Sequence, residues 1–382
     1  MRLRLREPLL YRWLRIKRAF DKRSRPAGEL GTPAIQRILA ISCTALGDTL
    51  LSTPALAALR ETYPQAHITL LVHPALQTLF TGLVGVDELL PYDGKWRGFS
   101  RTARRLKGYD LAVILHGNEP QATPLAYLSG ARYVFKLPNN NRWSFLLSNR
   151  EPVLSWDDLG HGIEQRMAVA RLAGASGEFS PRMTVPMSPA GDAALQQALV
   201  ECGWQEATIV AFQPGASTMS RRWPRSRFIA AAVALAKTHP ELRFVVTGSP
   251  AEAALCQEVA AGIEAAAPLS GGVRAWSSAG QLPLIALPAL LKRARLLVTG
   301  DTGPMHLAVT VETPVVALFA VSDPARSGPG YDLDKHIVIR KWRTCDPCKS
   351  KNCPYAEPIC MDNISVDEVI ATVHTILSRK PV

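Results

Sequence analysis

The sequence predicts two consecutive α/β units, each a parallel sheet covered by helices on both faces. Three observations carry this. Short apolar runs bounded by turn residues alternate with helical patterns along the chain, the order that βαβ units impose. The chain has 382 residues, long for one domain and ample for two. Four loops rich in Gly, Ser, Thr and Asp follow apolar runs, at the strand ends where such sheets bind ligands. Hydrophobic residues at 47% and charged residues at 20% are ordinary globular values. No uninterrupted apolar run reaches the roughly 18 residues of a membrane span. The N-terminus lacks the apolar core and small-residue cleavage site of a secretory signal, so a cytoplasmic location is expected.

The net charge of +12 is uneven: residues 1–25 hold a net +8 of it. The basic balance therefore describes a tail and not a nucleic-acid-binding body. Within that tail Leu9, Trp13, Ile16 and Phe20 fall at helical spacing, with Arg12, Arg15, Lys17 and Arg18 around them and Pro8 near the start. A basic amphipathic helix of this kind suits an anionic membrane surface; the alternatives are packing on its own protein or a disordered basic arm. Residues 1–33 are read as this extension and a linker.

Residues 34–186 form the first unit. Strands are predicted at 37–42, 67–72, 86–91, 110–115 and 133–137, with helices after the first strand and over 74–79, 98–107, 119–128 and 163–172. Thr53-Pro54 reads as a cap and first-turn pair of the helix after the first strand. The loop-like stretch 138–160 and an extended piece at 181–186 close the unit. Residues 187–364 form the second unit, with helices over 192–202, 228–238, 251–260 and 284–293 and strands at 208–212, 243–247, 295–299 and 314–319. The final segment, 365–382, carries an amphipathic helix expected to cross back onto the first unit.

The loop Cys43-Thr44-Ala45-Leu46-Gly47-Asp48 follows the first strand. Gly47 would make a tight turn and Asp48 would project at a helix start, where a carboxylate can take a proton from a substrate hydroxyl or merely cap the helix. In Pro214–Pro224 the small residues Gly215, Ala216, Ser217 and Thr218 let backbone approach a phosphate, and Arg221 and Arg222 supply cations to clamp it. In the loop from Thr247, Glu252 could hold a ribose hydroxyl or serve only as a first-turn acid. The run Asp301-Thr302-Gly303-Pro304, with His306 one turn in, places free N–H groups at a strand-to-helix junction, a setting for a diphosphate. Gly300 and Gly303 would permit the turns and Pro304 the first helical position. Thr44, Gly47, His116 and Asn118 are further candidates on the first unit's side, with the loops 116–119 and 136–142 as walls of its ligand crevice. The basic run Lys95, Arg97, Arg101, Arg104 and Arg105 could meet ligand phosphates or form a solvated helix face. A G-x-G-x-x-G after the first strand, a G-x-x-x-x-G-K-[ST] and a G-x-S-x-G are all absent, against a dinucleotide oxidoreductase, a P-loop kinase and a serine hydrolase.

Three segments together, GDTLLSTPALAALRETYP, FQPGAS with RRWP, and GDTGPMHLAVTVETPVVALF, resemble the bacterial heptosyltransferases of glycosyltransferase family 9 across about residues 36–380. The resemblance implies a GT-B fold, two Rossmann-like domains with the sugar nucleotide held mainly by the second. It implies an inverting transfer of heptose from ADP-heptose to the lipopolysaccharide inner core, with Asp48 as general base. Donor contacts carried over are Ser217, Thr218, Arg221, Glu252, Asp301, Thr302, Gly303, Pro304 and His306. Arg221 stands where relatives often have Lys, turning a point cation into a fork. No metal is implied for the chemistry. The implied acceptor is an anionic glycolipid at the inner face of the inner membrane, met as a peripheral protein through the basic N-terminus. A related transferase using another nucleotide sugar for a different glycan or a protein acceptor is the alternative, and a non-catalytic nucleotide-sugar-binding protein a third reading.

Seven cysteines are present. Cys43, Cys202 and Cys256 are isolated and read as buried thiols. Cys345, Cys348, Cys353 and Cys360 cluster, and in a cytoplasmic chain such a cluster more often binds metal than forms disulfides. They could close a structural zinc or iron site, or remain free thiols. The family resemblance extends to this stretch and the CMDNI that ends it.

Overall fold

The structure, a computed structural model, describes residues 6–31, 35–116, 119–345, 353–355 and 358–379. The chain divides into two compact units, Met1–Pro186 and Met187–Val382.

In the first unit helix α1 (Arg6–Phe20) precedes β1 (Arg37–Ser42), α2 (Leu46–Thr62), β2 (His67–Val72), α3 (Gln77–Phe80), β3 (Glu88–Pro91), α4 (Trp96–Arg105), β4 (Leu111–His116), α5 (Ala122–Leu128), β5 (Tyr133–Lys136) and α6 (Gly162–Leu172). The five strands are parallel, in the order β3-β2-β1-β4-β5. Each inner strand reads as a near-continuous apolar run because both of its faces are covered. On one face Leu39, Ile41, Ala112 and Ile114 pack with Phe99, Leu125 and Ala126 of α4 and α5. The strand order reverses direction between β1 and β4, which opens a crevice past the ends of those two strands.

The second unit repeats the plan. It runs α7 (Pro189–Cys202), β6 (Thr208–Gln213), α8 (Arg225–Thr238), β7 (Leu242–Val246), α9 (Ala253–Ala266), β8 (Ala275–Ser277), α10 (Leu287–Arg293), β9 (Leu296–Gly300), α11 (Gly303–Thr310), β10 (Val315–Phe319), α12 (Pro324–Ser327), β11 (Ile337–Arg340), α13 (Ile359–Asp362) and α14 (Val366–Leu377). Its six parallel strands lie in the order β11-β10-β9-β6-β7-β8, with the reversal between β6 and β9. Phe212, Phe228 and Phe244 form the centre of its core, with ring centroids 5.4 Å apart in both the Phe212–Phe228 and Phe212–Phe244 pairs.

Several expectations change here. β8 and β11, neither of them foreseen, complete the second sheet. α14 does not cross to the first unit: Val369, Val373 and Ile376 are buried in the second unit's own core with Phe228 and Val316. Helix α2 begins at Leu46, so Gly47 is a helical residue and makes no turn, and Pro54 sits inside that helix instead of opening one. Residues 181–186 take no regular secondary structure and join no sheet. Cys43 and Cys256 are buried, whereas Cys202 is half-exposed. Part of the expected linker (32–34), Asn118 and Cys348 lie outside the described residues.

Candidate active site

In the first unit the crevice between β1 and β4 holds an acid–base cluster. Residue Ala45, extended, caps the backbone of α2, and no side chain accepts the cap hydrogen bond. Asp48, in the first turn, is thus not a helix cap. Thr44 Oγ1 donates to its Oδ2 at 2.9 Å, and Arg166 of α6 donates from Nη2 to its Oδ1 at 3.1 Å. The same Nη2 lies 2.8 Å from Nδ1 of His116, at the end of β4. A guanidinium can only donate, so His116 Nδ1 accepts and the ring is the neutral, Nε2-protonated tautomer. The Asp48 Oδ1–His116 Nδ1 separation of 3.3 Å then sets two acceptors side by side, both facing one cation. Burial holds the His116 pKa down to about 4 against the pull of Asp48, with Arg166 and Lys136 adding to the lowering.

Arg166 is the residue the sequence reading missed. Its side chain is 4% exposed, and Nη1 donates to the Gly162 carbonyl at 2.9 Å, which fixes the fork. The signal was an arginine on the core face of a helix, in line with Ile163 and Ala170. Lys136, at the end of β5, is also buried, and burial lowers its pKa to about 8, opposed by Glu119, whose own pKa burial raises. The 136–142 segment is thus anchored beside the cluster at Lys136. In α4 Phe99 and Ala103 are buried while Arg97, Arg101, Arg104 and Arg105 are exposed, the pattern of a solvated face.

In the second unit the Asp301 run lies where the strand order reverses, between β6 and β9. Thr302 is the backbone cap of α11, yet its side chain does not cap the helix; it meets Thr299 Oγ1 at 2.8 Å. The motif divides by burial: Thr302, Gly303 and Pro304 form the accessible rim, while Asp301 and His306 are turned inward. Asp301 Oδ2 lies 3.3 Å from Arg221 Nη1 and accepts from Ser327 Oγ at 3.3 Å, so it orients the arginine. Gly300 has no turn to make. A Cβ there would lie 2.4 Å from the Arg221 carbonyl oxygen, so the glycine is what lets the arginine loop lie against the strand end. Trp223 is buried and donates to the Ile364 carbonyl at 2.9 Å, which nails the far side of that loop to the core.

Arg222 is tied to its own loop. It donates to the Ala216 carbonyl from Nε at 3.1 Å and Nη2 at 2.8 Å, so it holds the loop's shape. Ser217 is exposed and Thr218 half-buried beside it. Glu252 forms a reciprocal cap with Ser249, accepting from its N–H at 2.9 Å and its hydroxyl at 2.8 Å. Its Oε1 faces Gly215, where a Cβ would come within 2.0 Å of it. The capping role is therefore real, and one carboxylate oxygen still lies against the small-residue loop.

The model of glycosyltransferase family 9 (heptosyltransferase) matches residues 104–358, more than half of the chain. The chain belongs to that family. It is a glycosyltransferase, and its two units are those of the GT-B fold. Among curated proteins it is 25% identical over 367 residues to lipopolysaccharide heptosyltransferase 2 of Salmonella typhimurium, covering 91% of this chain and 100% of that one. It is 25% identical over 320 residues to the lipopolysaccharide core heptosyltransferase OpsX of Haemophilus influenzae, covering 81% and 86%. The solved structure of the Escherichia coli ADP-heptose lipopolysaccharide heptosyltransferase II superposes with a TM-score of 0.70 at 22% identity, covering 90% of this chain and 98% of that one.

Of the clustered cysteines, Cys345, Cys353 and Cys360 line one small pocket with Ser220 and Arg343. Among the described residues no group of three or more His, Cys, Asp or Glu is set to hold a metal, so the described thiols do not by themselves close a site.

Proposed function

We propose that this glycosyltransferase transfers a heptose from ADP-heptose to the inner core of lipopolysaccharide with inversion. Asp48 accepts the proton of the acceptor hydroxyl as that oxygen attacks the anomeric carbon. The bond from that carbon to the diphosphate breaks, and ADP leaves with the electron pair. The observation that carries this reading is the state of Asp48: a helix-start carboxylate that caps nothing, held by Thr44 and Arg166 past a strand end. Thr302, Gly303 and the Arg221 fork receive the diphosphate, and their N–H groups and charge stabilise it as it leaves, without a metal. Glu252 Oε1 takes a ribose hydroxyl. His116, neutral and fixed, and Lys136 line the acceptor side. The basic N-terminus brings the enzyme to the inner face of the inner membrane, where the glycolipid acceptor lies. The four cysteines, Cys348 included, are assigned a structural zinc or iron; about one equivalent of metal per chain, lost in Cys348→Ser, is the expected result.

The test pairs nucleotide binding with turnover. ADP at about 100 times its dissociation constant should stabilise the protein by roughly 2.7 kcal/mol, while UDP, GDP and CMP give no shift. Asp48→Asn should keep the ADP shift and lose product formation from ADP-heptose and core-truncated glycolipid. A shift with UDP or GDP alone would move the donor to another nucleotide sugar, and turnover retained in Asp48→Asn would remove the base.

A further inference from the structure

Helix α1 is amphipathic twice over. One face is fixed to the first unit. Leu14 is fully buried with Tyr127, Trp143 and Leu146, and Leu10 packs beside it. The Tyr11 ring lies 5.4 Å from Trp143 and 5.3 Å from Phe145. Glu7 pairs with Arg142 at 3.0 Å at one end of the helix, and at the other Asp21 accepts from the Tyr127 hydroxyl at 2.7 Å. So α1 is neither a disordered arm nor wholly absorbed by its own protein.

Among the described residues nothing covers the opposite face. Leu9 is 65% exposed, Trp13 50%, Ile16 63% and Phe20 82%. At 100° per residue these four side chains fall within one narrow stripe, directed away from Leu10 and Leu14. Arg12 borders it on one side and Lys17 on the other, and Lys22 follows the helix end. The two acids of the segment are both engaged, Glu7 by Arg142 and Asp21 by Arg23 and Tyr127, so the outward surface shows only cations around the apolar stripe.

We propose that this stripe is a membrane-docking surface, pre-fixed on the first unit, that inserts Leu9, Trp13, Ile16 and Phe20 at the level of the headgroups of an anionic bilayer while Arg12, Lys17 and Lys22 meet lipid phosphates. It deepens the glycolipid reading above but stands on the exposed face itself. Charge decides between occupants. Four large apolar side chains in line among cations match a surface that is apolar within and anionic at its rim. A second copy of the chain would bring two basic surfaces together. No helix among the described residues is long and apolar enough to cross a membrane, so α1 lies on the surface and does not span. Because its inner face is locked by Tyr11, Leu14 and the Glu7–Arg142 pair, docking would set the orientation of the whole first unit.

The experiment is vesicle flotation of the full-length protein. Vesicles of phosphatidylcholine with about one-third phosphatidylglycerol should carry it, and pure phosphatidylcholine should not. Trp13→Glu with Phe20→Glu should weaken binding at least about 100-fold, and Arg12→Glu with Lys17→Glu about 10-fold or more. Arg12, Trp13 and Phe20 are exposed and Lys17 is half-exposed, so melting temperature and the ADP shift should be unchanged, which keeps this test separate from that of the donor reading. Arg104→Glu with Arg105→Glu, on the other exposed basic helix α4, should leave flotation intact. Absence of binding to anionic vesicles, wild-type binding by the stripe variant, equal loss in the α4 variant, or conversion of a dimer to a monomer by the stripe variant would each overturn the proposal.

Discussion

Arg166→Met deletes one charge and keeps an apolar stem. Asp48 Oδ1 then loses its 3.1 Å donor and His116 Nδ1 its 2.8 Å donor, while Thr44 still holds Oδ2. A hydrogen bond between charged groups is worth about 1.5–3 kcal/mol, and water can replace part of it because Asp48 is 26% exposed. A loss of about 2 kcal/mol in transition-state stabilisation corresponds to roughly 30-fold in kcat/KM. The fall should appear in kcat, with KM for the donor unchanged, because Arg166 bonds Asp48, His116, Gly162 and Gln165 and none of the residues proposed to bind the nucleotide. Arg166→Lys should recover part of the rate, since a point cation cannot reach the Gly162 carbonyl, Asp48 and His116 together. Denaturation of Arg166→Met, Asp48→Asn and the double variant gives the interaction directly, with an expected coupling of about 1–2 kcal/mol. A kcat within threefold of wild type in the folded Arg166→Met enzyme, or additive stabilities in the cycle, would refute the positioning role.

Two further predictions follow from the same clusters. The folded-state pKa of His116 is about 4, below the roughly 6.5 of an unfolded histidine, so the unfolded chain takes up this proton first. Stability should therefore fall as the pH drops from about 6.5 towards 4, by on the order of 3 kcal/mol for this group, and His116→Gln should flatten that slope in denaturant titrations; identical slopes would argue against it. In the second unit Gly300→Ala forces a Cβ to within 2.4 Å of the Arg221 carbonyl oxygen. Backbone meets backbone there, so a stability cost of about 1–3 kcal/mol and at least a tenfold weaker ADP affinity by calorimetry are expected, and wild-type affinity would show that the arginine loop is not held by this approach.

What the sequence made legible, and what it hid, have physical causes. Buried parallel strands leave continuous apolar runs, so the strands from RILAIS to TIVAF could be read directly. β8 is three residues, Ala-Trp-Ser, too short for any period to register. β11 is an edge strand with mixed burial, and its pattern fades accordingly. Local glycine rules misled twice. Gly47 reads as a turn residue, yet tertiary packing carries α2 straight through it, and Gly300 reads likewise, yet its service is to a neighbouring carbonyl. The accessible rim at Thr302 and Gly303 was visible as a motif, but the inward role of Asp301 was not, because its partners Arg221 and Ser327 are distant in sequence. Arg166 was hidden for the same reason, 118 positions from the carboxylate it holds.

The return of α14 to its own core has a consequence for ancestry. The residues proposed to grip the nucleotide, from the Gly215 loop to the Asp301 run, are encoded downstream of Pro186, and the closing helix is buried in that same half. One genetic crossover near codon 187 would thus exchange the proposed donor module together with its core and its closing helix. On the proposed function, sugar-nucleotide preference and acceptor preference would then be separable by a single recombination event.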